Sequence, residues 1–267
     1  MFIQPNIDPV FLEIGIIKIH WYGIMYLIGF ALAWYLLGYR AKKDQWRDWD
    51  AKLISDLIFY GALGVVIGAR VGYTLFYGFD KFIENPLSMF AIWNGGMSFH
   101  GGMIGVILGL WFYSKKINKT FFDVTDYVVT VAPLGLLFGR IGNFINGELY
   151  GRVTDLPIGM VFLKDPLQLP RHMSQLYEAA LEGVVLFLVL WFLSAKKTTR
   201  GVLSAWFLIL YGSFRFIVEF SRKPDDHLGF IAFDLFTMGQ ILSLPMIIVG
   251  GFILYYVLKN KKNANIS

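Results

Sequence analysis

Seven apolar runs organise this sequence: Trp21–Tyr39, Ser55–Phe79, Met97–Ser114, Val124–Phe144, Gln175–Ala195, Gly201–Phe220 and Met238–Leu258. Each is close to the length of about twenty residues that carries a helix across a bilayer. Such runs leave the backbone few options, because peptide groups in hydrocarbon must bond to one another, as helices or as a closed barrel. The ten-residue alternation of a barrel strand is missing from them. The expectation is therefore an all-α, polytopic membrane protein, a single integral membrane domain over residues 1–267 with an outward-facing loop region at about 144–174. The charge content agrees: 16% of residues are charged and 56% hydrophobic, whereas a soluble domain carries roughly a quarter charged residues to stay in solution.

Charge placement sets an orientation. Of the 24 basic residues, fourteen follow the first, third, fifth and seventh runs, seven lie in the alternate segments, and Arg70, Arg140 and Arg215 sit inside runs. Because lysine and arginine are retained on the cytoplasmic side, the N-terminus is expected outside and the C-terminus in the cytoplasm. That orientation puts His20, His100, His172 and His227 at or near the outer face. The glycine-rich stretch Asn94–Gly102 falls there as well, as do the interfacial aromatics Trp21, Tyr22, Tyr77, Trp93 and Tyr150. The net charge of +5 comes in short clusters between apolar runs, a pattern suited to anionic lipid headgroups and not to nucleic acid. No cleavable signal peptide is read in Met1–His20, where Lys18 follows Pro5, Asp8, Pro9 and Glu13. Cysteine is absent, which removes disulfides, thiolate metal sites and a cysteine nucleophile.

The intramembrane arginines carry the strongest chemical signal. Each costs about 2.5–3.5 kcal/mol at mid-bilayer, so each must face a partner or a polar cavity. Arg215 and Glu219 are four apart and can pair along a helix. Arg140 has no acidic residue within a turn; it either grips a phosphate through paired N–H groups or bonds a distant carboxylate or carbonyls. Arg70 lies among Gly64, Gly68 and Gly72, a small-residue face of the kind that packs helices closely, and reads as structural. The segment Gly139–Gly151 (GRIGNFINGELYG) surrounds Arg140, Asn143, Asn146 and Glu148 with glycines. Glycine allows close backbone approach and the amides supply donors and acceptors, which fits either a headgroup pocket or a helix-breaking turn. His100, flanked by glycines in Gly95–Gly102 (GGMSFHGG), is either an interfacial hydrogen-bonding residue or a proton carrier.

No G-x-S-x-G elbow, H-E-x-x-H pair, phosphate-loop lysine or aspartate pair for two metals is present. If the chain is an enzyme, a substrate supplies the nucleophile, and no metal or organic cofactor is required. A transporter with arginines at an interior anion site is the competing class, but the paired repeats of such folds are not visible. An intramembrane protease lacks its serine elbow or aspartate pair.

Six segments together resemble the prolipoprotein diacylglyceryl transferase family: His20–Tyr26 (HWYGIMY), Gly95–Gly102, Gly139–Gly151 continuing to Asp155, Pro170–Glu178 (PRHMSQLYE), Tyr211–Phe220 (YGSFRFIVEF) and Met238–Ser243 (MGQILS). The resemblance implies a bacterial inner-membrane enzyme of seven spans, with its active site toward the outer leaflet. Its partners are phosphatidylglycerol, the signal peptide of a prolipoprotein with its lipobox cysteine, and membrane lipids. The diacylglyceryl group passes to the cysteine sulfur as a thioether and glycerol phosphate leaves. Position by position, the resemblance makes Arg140 and Arg215 the essential arginines at the lipid phosphate. It makes His100 the important histidine, and Tyr22, Asn143, Gly151, Tyr211 and Glu219 further sensitive positions. The catalytic set is then His100, Arg140, Arg215 and Tyr22, and the substrate-binding set Arg140, Arg215, Asn143, Asn146, Gly151, Tyr211 and Glu219. Two departures stand out. Met173 occupies a position where the family usually has proline, which puts the backbone of that loop in question. Leu137 and Phe138 replace small residues ahead of Arg140, which raises a packing question.

Overall fold

The computed structural model describes residues 2–15, 17–91, 95–224, 231 and 236–264; Trp93, Asn94 and His227 lie outside them. The chain forms two compact units, one of Met1–Leu36 with Asp126–Ser267 and one of Leu37–Thr125. A helix underlies each of the seven apolar runs. They are α1 (Trp21–Lys43), α2 (Ala51–Phe76), α4 (Phe99–Lys116), the pair α5 (Phe121–Val128) and α6 (Ala132–Asn146), the composite helix Ser174–Leu193, α9 (Val202–Val218) and α10 (Met238–Ala264). A short α3 (Phe79–Glu84) follows α2. The composite helix consists of α7 (Ser174–Glu178), a π-helical stretch Ala179–Val185 and α8 (Leu186–Leu193). Among the described residues four helices are long and apolar enough to cross a membrane: α1, α2, Ser174–Leu193 and Met238–Lys261. The α5–α6 pair makes a fifth if counted as one span. Leu27, Trp34, Phe59, Phe192, Ile248 and Phe252 on these helices are exposed, which in water would be an association hazard and in lipid is ordinary.

The fourth run is not one straight helix: α5 and α6 meet at 44°. Pro133 stands in the first turn of α6, where it lacks an N–H to donate back and its ring crowds the preceding turn. Short strands outside the apolar runs add to the all-α expectation. β1 (Phe2–Ile3) pairs in parallel with β4 (Met160–Val161), and β4 pairs antiparallel with β5 (Pro170–Arg171). β2 (Val10–Ile14) and β3 (Ile17–His20) form a hairpin that runs directly into α1.

In the unit Leu37–Thr125, Asp50 and Ser98 cap α2 and α4 by accepting from Leu53 N–H (2.7 Å) and Gly101 N–H (3.2 Å). The two helices meet through glycines. A Cβ on Gly64 would lie 2.5 Å from the Gly105 carbonyl oxygen, and one on Gly72 2.8 Å from the Gly101 Cα. The small-residue face read from the sequence is thus a close helix contact. Tyr113, fully buried, donates to the Leu53 carbonyl at 2.6 Å and stacks on Tyr60. Arg70 donates to five carbonyls, those of Ser88, Met89, Ala91, Gly95 and Gly96, at 2.5–3.0 Å. It pins the segment that leads into α4, as its structural reading anticipates.

In the other unit, buried Leu186, Leu190, Leu203 and Ala205 form part of the core. Asp126 anchors the start of α9 by accepting from Gly201 N–H, Ser204 N–H and Ser204 Oγ–H at 2.6–2.8 Å. The segment between α6 and α7 is ordered by polar bonds. Asp165 receives Arg171 through Nε (2.6 Å) and Nη2 (2.9 Å), and that guanidinium lies over the Tyr150 ring. Gln4 donates to the Phe144 carbonyl and accepts from Leu163 N–H, tying the N-terminal strand to this segment. Met173 has φ −80°, a value within proline's range, so this turn is one that either residue can make. Leu137 is accommodated by Gly183, whose Cβ would come within 2.7 Å of the Leu137 Cβ.

Replacing Arg70 with Met should lower stability by about 3 kcal/mol or more, since hydrogen bonds to a charged donor contribute roughly 1.5–3 kcal/mol each. Thermal melting in detergent, with protease cleavage near 88–96, measures it. The Arg171 hydrogen bonds hold the Asp165 carboxyl below the usual carboxylate range. Their stabilisation is therefore full above the unfolded value of about 3.9 and is lost as pH falls through the folded one. Proteolysis of residues 147–173 should rise sharply in that acid window, and Asp165→Asn should be cleaved readily at neutral pH as well.

Candidate active site

The site begins on α6. Gly139 and Gly142 flank Arg140 and leave room for the tyrosines of α1. A Cβ on Gly142 would lie 2.7 Å from Tyr22 Cδ2, and one on Gly139 3.4 Å from the Tyr26 hydroxyl. Tyr22 and Tyr26, one turn apart, meet hydroxyl to hydroxyl at 3.2 Å. The helix ends at Gly147, whose φ of 65° is the left-handed conformation that favours glycine at a C-terminal cap. The reversal brings Glu148 back over the helix end. Its carboxylate accepts from Asn143 Nδ2 at 2.9 Å and from Asn146 Nδ2 at 3.2 Å, and Asn143 Oδ1 lies 3.5 Å from Arg140 Nη1.

Arg140 has the distant carboxylate partner that its sequence reading left open beside a phosphate. Its Nε lies 2.5 Å from Glu178 Oε2 and its Nη2 4.0 Å from Glu182 Oε2. Both glutamates come from the composite helix, some forty positions along the chain, where no local reading finds them. Arg215 on α9 pairs with Glu219 at 2.7 Å, as its spacing indicates, and also with Glu178 at 2.9 Å. Arg222, just past α9, donates to Glu178 at 2.9 Å. Glu178 is therefore a hub with three guanidinium partners. Glu219 is held further by the Thr237 hydroxyl at 2.9 Å, and Gly239 leaves space for its carboxylate, which a Cβ there would meet at 2.6 Å.

The two signs of charge are not equally accessible. The side chains of Arg140, Arg215 and Arg222 keep 19%, 15% and 13% of their surface, whereas those of Glu178, Glu182 and Glu219 keep 1%, 0% and 5%. The carboxylates are almost fully buried, while the arginine side chains beside them keep part of their surface. Arginines held in place this way suit an anionic oxygen, because N–H donors already aimed need no reorganisation when charge arrives.

The remaining expected residues fall as follows. Gly151 is buried between Arg222 and His172: its N–H donates to the His172 carbonyl at 2.9 Å, and a Cβ would strike Ser221 O and lie 2.7 Å from His172 Cβ. Burial, reinforced by the Arg152 guanidinium, pushes the His172 imidazole below its usual value, which favours the neutral ring. Tyr211, one turn before Arg215, stacks on Phe207. His100 belongs to the other unit. It is exposed at the start of α4, its ring edge-on to Phe99. Sequence reasoning missed Glu178, Glu182 and Arg222 as site residues. Only Glu178 lies in a segment singled out beforehand, and the sole sequence signal for Glu182 is a carboxylate inside an apolar run.

The model of the prolipoprotein diacylglyceryl transferase family matches residues 9–256. A protein of Coxiella burnetii named phosphatidylglycerol–prolipoprotein diacylglyceryl transferase is 58% identical over 262 residues, 98% of this chain and 100% of that protein. One of the same name from Acinetobacter baumannii is 53% identical over 265 residues, 98% of this chain and 96% of that protein.

Replacing Glu178 with Gln removes the shared partner of three arginines. Breaking a buried ion pair on one side costs about 3–5 kcal/mol, so the melting temperature in detergent should fall markedly. An unchanged melting curve would refute the hub role.

Proposed function

The chain belongs to the prolipoprotein diacylglyceryl transferase family, and on that premise we propose how its own residues carry the reaction. It transfers the diacylglyceryl group of phosphatidylglycerol to a prolipoprotein, the first step of lipoprotein maturation. The acceptor is the thiol of a lipobox cysteine. The sulfur–carbon bond of a thioether forms, the carbon–oxygen bond to the phosphate breaks with its electrons left on oxygen, and the thiol proton departs to a base. Glycerol phosphate is the second product.

Arg140 and Arg215 bind the phosphate and stabilise charge as it gathers on the leaving oxygen. The observation that carries this assignment is the unequal burial of the cluster: the carboxylates are almost fully buried, and the arginine side chains paired with them are partly exposed. Arg140 commits Nε to Glu178 and leaves its terminal nitrogens with only long contacts to Asn143 and Glu182. Glu219 orients Arg215. Asn143 and Asn146, held by Glu148, line the headgroup pocket together with Tyr22, Tyr211 and the backbone at Gly151. The thiolate is the attacking species, and His100 is the group assigned to take the thiol proton or to position what takes it. In this reading seven helices span the bacterial inner membrane, with the N-terminus outside, the C-terminus in the cytoplasm and the arginines opening toward the outer leaflet. The excess of basic residues after the odd-numbered runs supports that orientation.

The test uses labelled phosphatidylglycerol and a lipobox peptide with the full-length protein in detergent. Arg140→Gln should lower the transfer rate by about 100- to 1000-fold, the range for loss of an aimed donor to developing charge. Arg140→Lys keeps the charge opposite Glu178, so it should restore the melting temperature but not the rate, because an ammonium cannot reproduce the guanidinium fork. Wild-type turnover in Arg140→Gln would remove the phosphate role.

A further inference from the structure

Glu182 has no role in the scheme above. It is fully buried, and neither of its carboxylate oxygens has a hydrogen-bond partner among the described residues. Its closest cations are Arg215 Nη1 at 3.8 Å and Arg140 Nη2 at 4.0 Å. Arg222, Glu178 and Tyr211 are its other electrostatic neighbours. Glu178 and Glu219, by contrast, each receive a guanidinium nitrogen within 2.9 Å. Glu182 therefore holds no arginine in a fixed geometry, and when ionised it acts on the cluster through its charge.

That charge completes a balance. Among the described residues of the cluster, Arg140, Arg215 and Arg222 face Glu178, Glu182 and Glu219. A lipid phosphodiester carries one negative charge, whereas the glycerol phosphate left behind is a monoester, with a second ionisation near pH 6 and thus almost two charges at neutral pH. A site with surplus positive charge would hold the product more tightly than the lipid.

We propose that Glu182 sets the charge of the arginine site, so that the dianionic phosphate product is released. The proposal rests on the phosphate reading of Arg140 and Arg215. Without the Glu182 charge, lipid binding tightens, product binding tightens further, and turnover becomes limited by release.

The experiment measures transfer and its inhibition by two soluble probes at about pH 7.5, where glycerol phosphate carries nearly two charges; glycerophosphoglycerol, a diester, carries one. Glu182→Gln should lower KM for phosphatidylglycerol, lower kcat, and tighten inhibition by glycerol phosphate at least tenfold, the effect of one unit charge as far as about 12 Å away at an effective dielectric near 20. Glu182→Asp, which keeps the charge, should stay close to wild type. A purely structural role would lower kcat without tightening either binding term, and that result overturns the proposal. Should Glu182→Gln fail to fold, the wild type decides alone. The diester should inhibit it at least as strongly as the monoester, and a clear preference for glycerol phosphate refutes the charge-setting role. Arg140→Gln separates the two claims. If it loses both inhibitors while Glu182→Gln behaves as wild type, only the Glu182 inference fails; if it binds both normally, the phosphate reading fails and this inference with it.

Discussion

Guanidinium groups do not enter hydrocarbon unaccompanied, and the packing of the larger unit follows from that constraint. Arg140 and Arg215 would each cost about 2.5–3.5 kcal/mol if inserted alone. Opposite charges within 3 Å offset that cost where hydrogen bonds also satisfy the geometry. Glu178 supplies this at one point for three arginines. Because its partners come from α6, from α9 and from the turn beyond α9, the ion cluster ties together segments that lie far apart in the chain. The π-helical winding begins at the residue after Glu178, and such wider turns recur at functional positions of helices.

Space around the cluster is made by glycine. Gly142 admits the Tyr22 ring, Gly239 admits the Glu219 carboxylate, and Gly183 admits Leu137. In each case a methyl group would come within 2.7 Å of the neighbouring side chain, so the close approach depends on the missing Cβ. The segment after α6 gains order by other means: the Asp165–Arg171 pair, Gln4 bridging Phe144 and Leu163, and the backbone bond of Gly151 to His172. An ordered rim and a glycine-cut interior are complementary requirements for a polar site inside a helical bundle.

What could be read from the sequence divides along the range of the interactions. The helices follow from runs of apolar residues, a local property, and every run is helical, the fourth in two pieces. The bend at Pro133 was equally local, yet it lies within an otherwise uniform apolar run, where hydropathy outweighs a single proline in any sliding average. Arg215 with Glu219 was legible because a helix brings positions four apart together. Arg140 with Glu178 was not, since no periodicity links residues on different helices. The short strands β1, β4 and β5 escaped notice for the same reason: two-residue strands have no alternation to detect, and their pairing is set by the fold around them.

Arg70 and Arg140 show why burial of a charge does not by itself mark a site. Both lie in glycine-flanked helical segments, and only the small-residue face around Arg70 sets them apart in the sequence. Arg70 spends Nε and both terminal nitrogens on carbonyls at 2.5–3.0 Å, so its hydrogen-bonding capacity is exhausted by the chain itself. Arg140 directs one nitrogen firmly at Glu178, while its terminal nitrogens meet only a 3.5 Å contact and a 4.0 Å approach. Orientation by one close ion pair, with donors left over, is the condition under which a fixed dipole can respond to charge that appears only as a bond breaks. An arginine whose donors are all taken can stabilise a fold, whereas one held by a single edge can also stabilise a transition state.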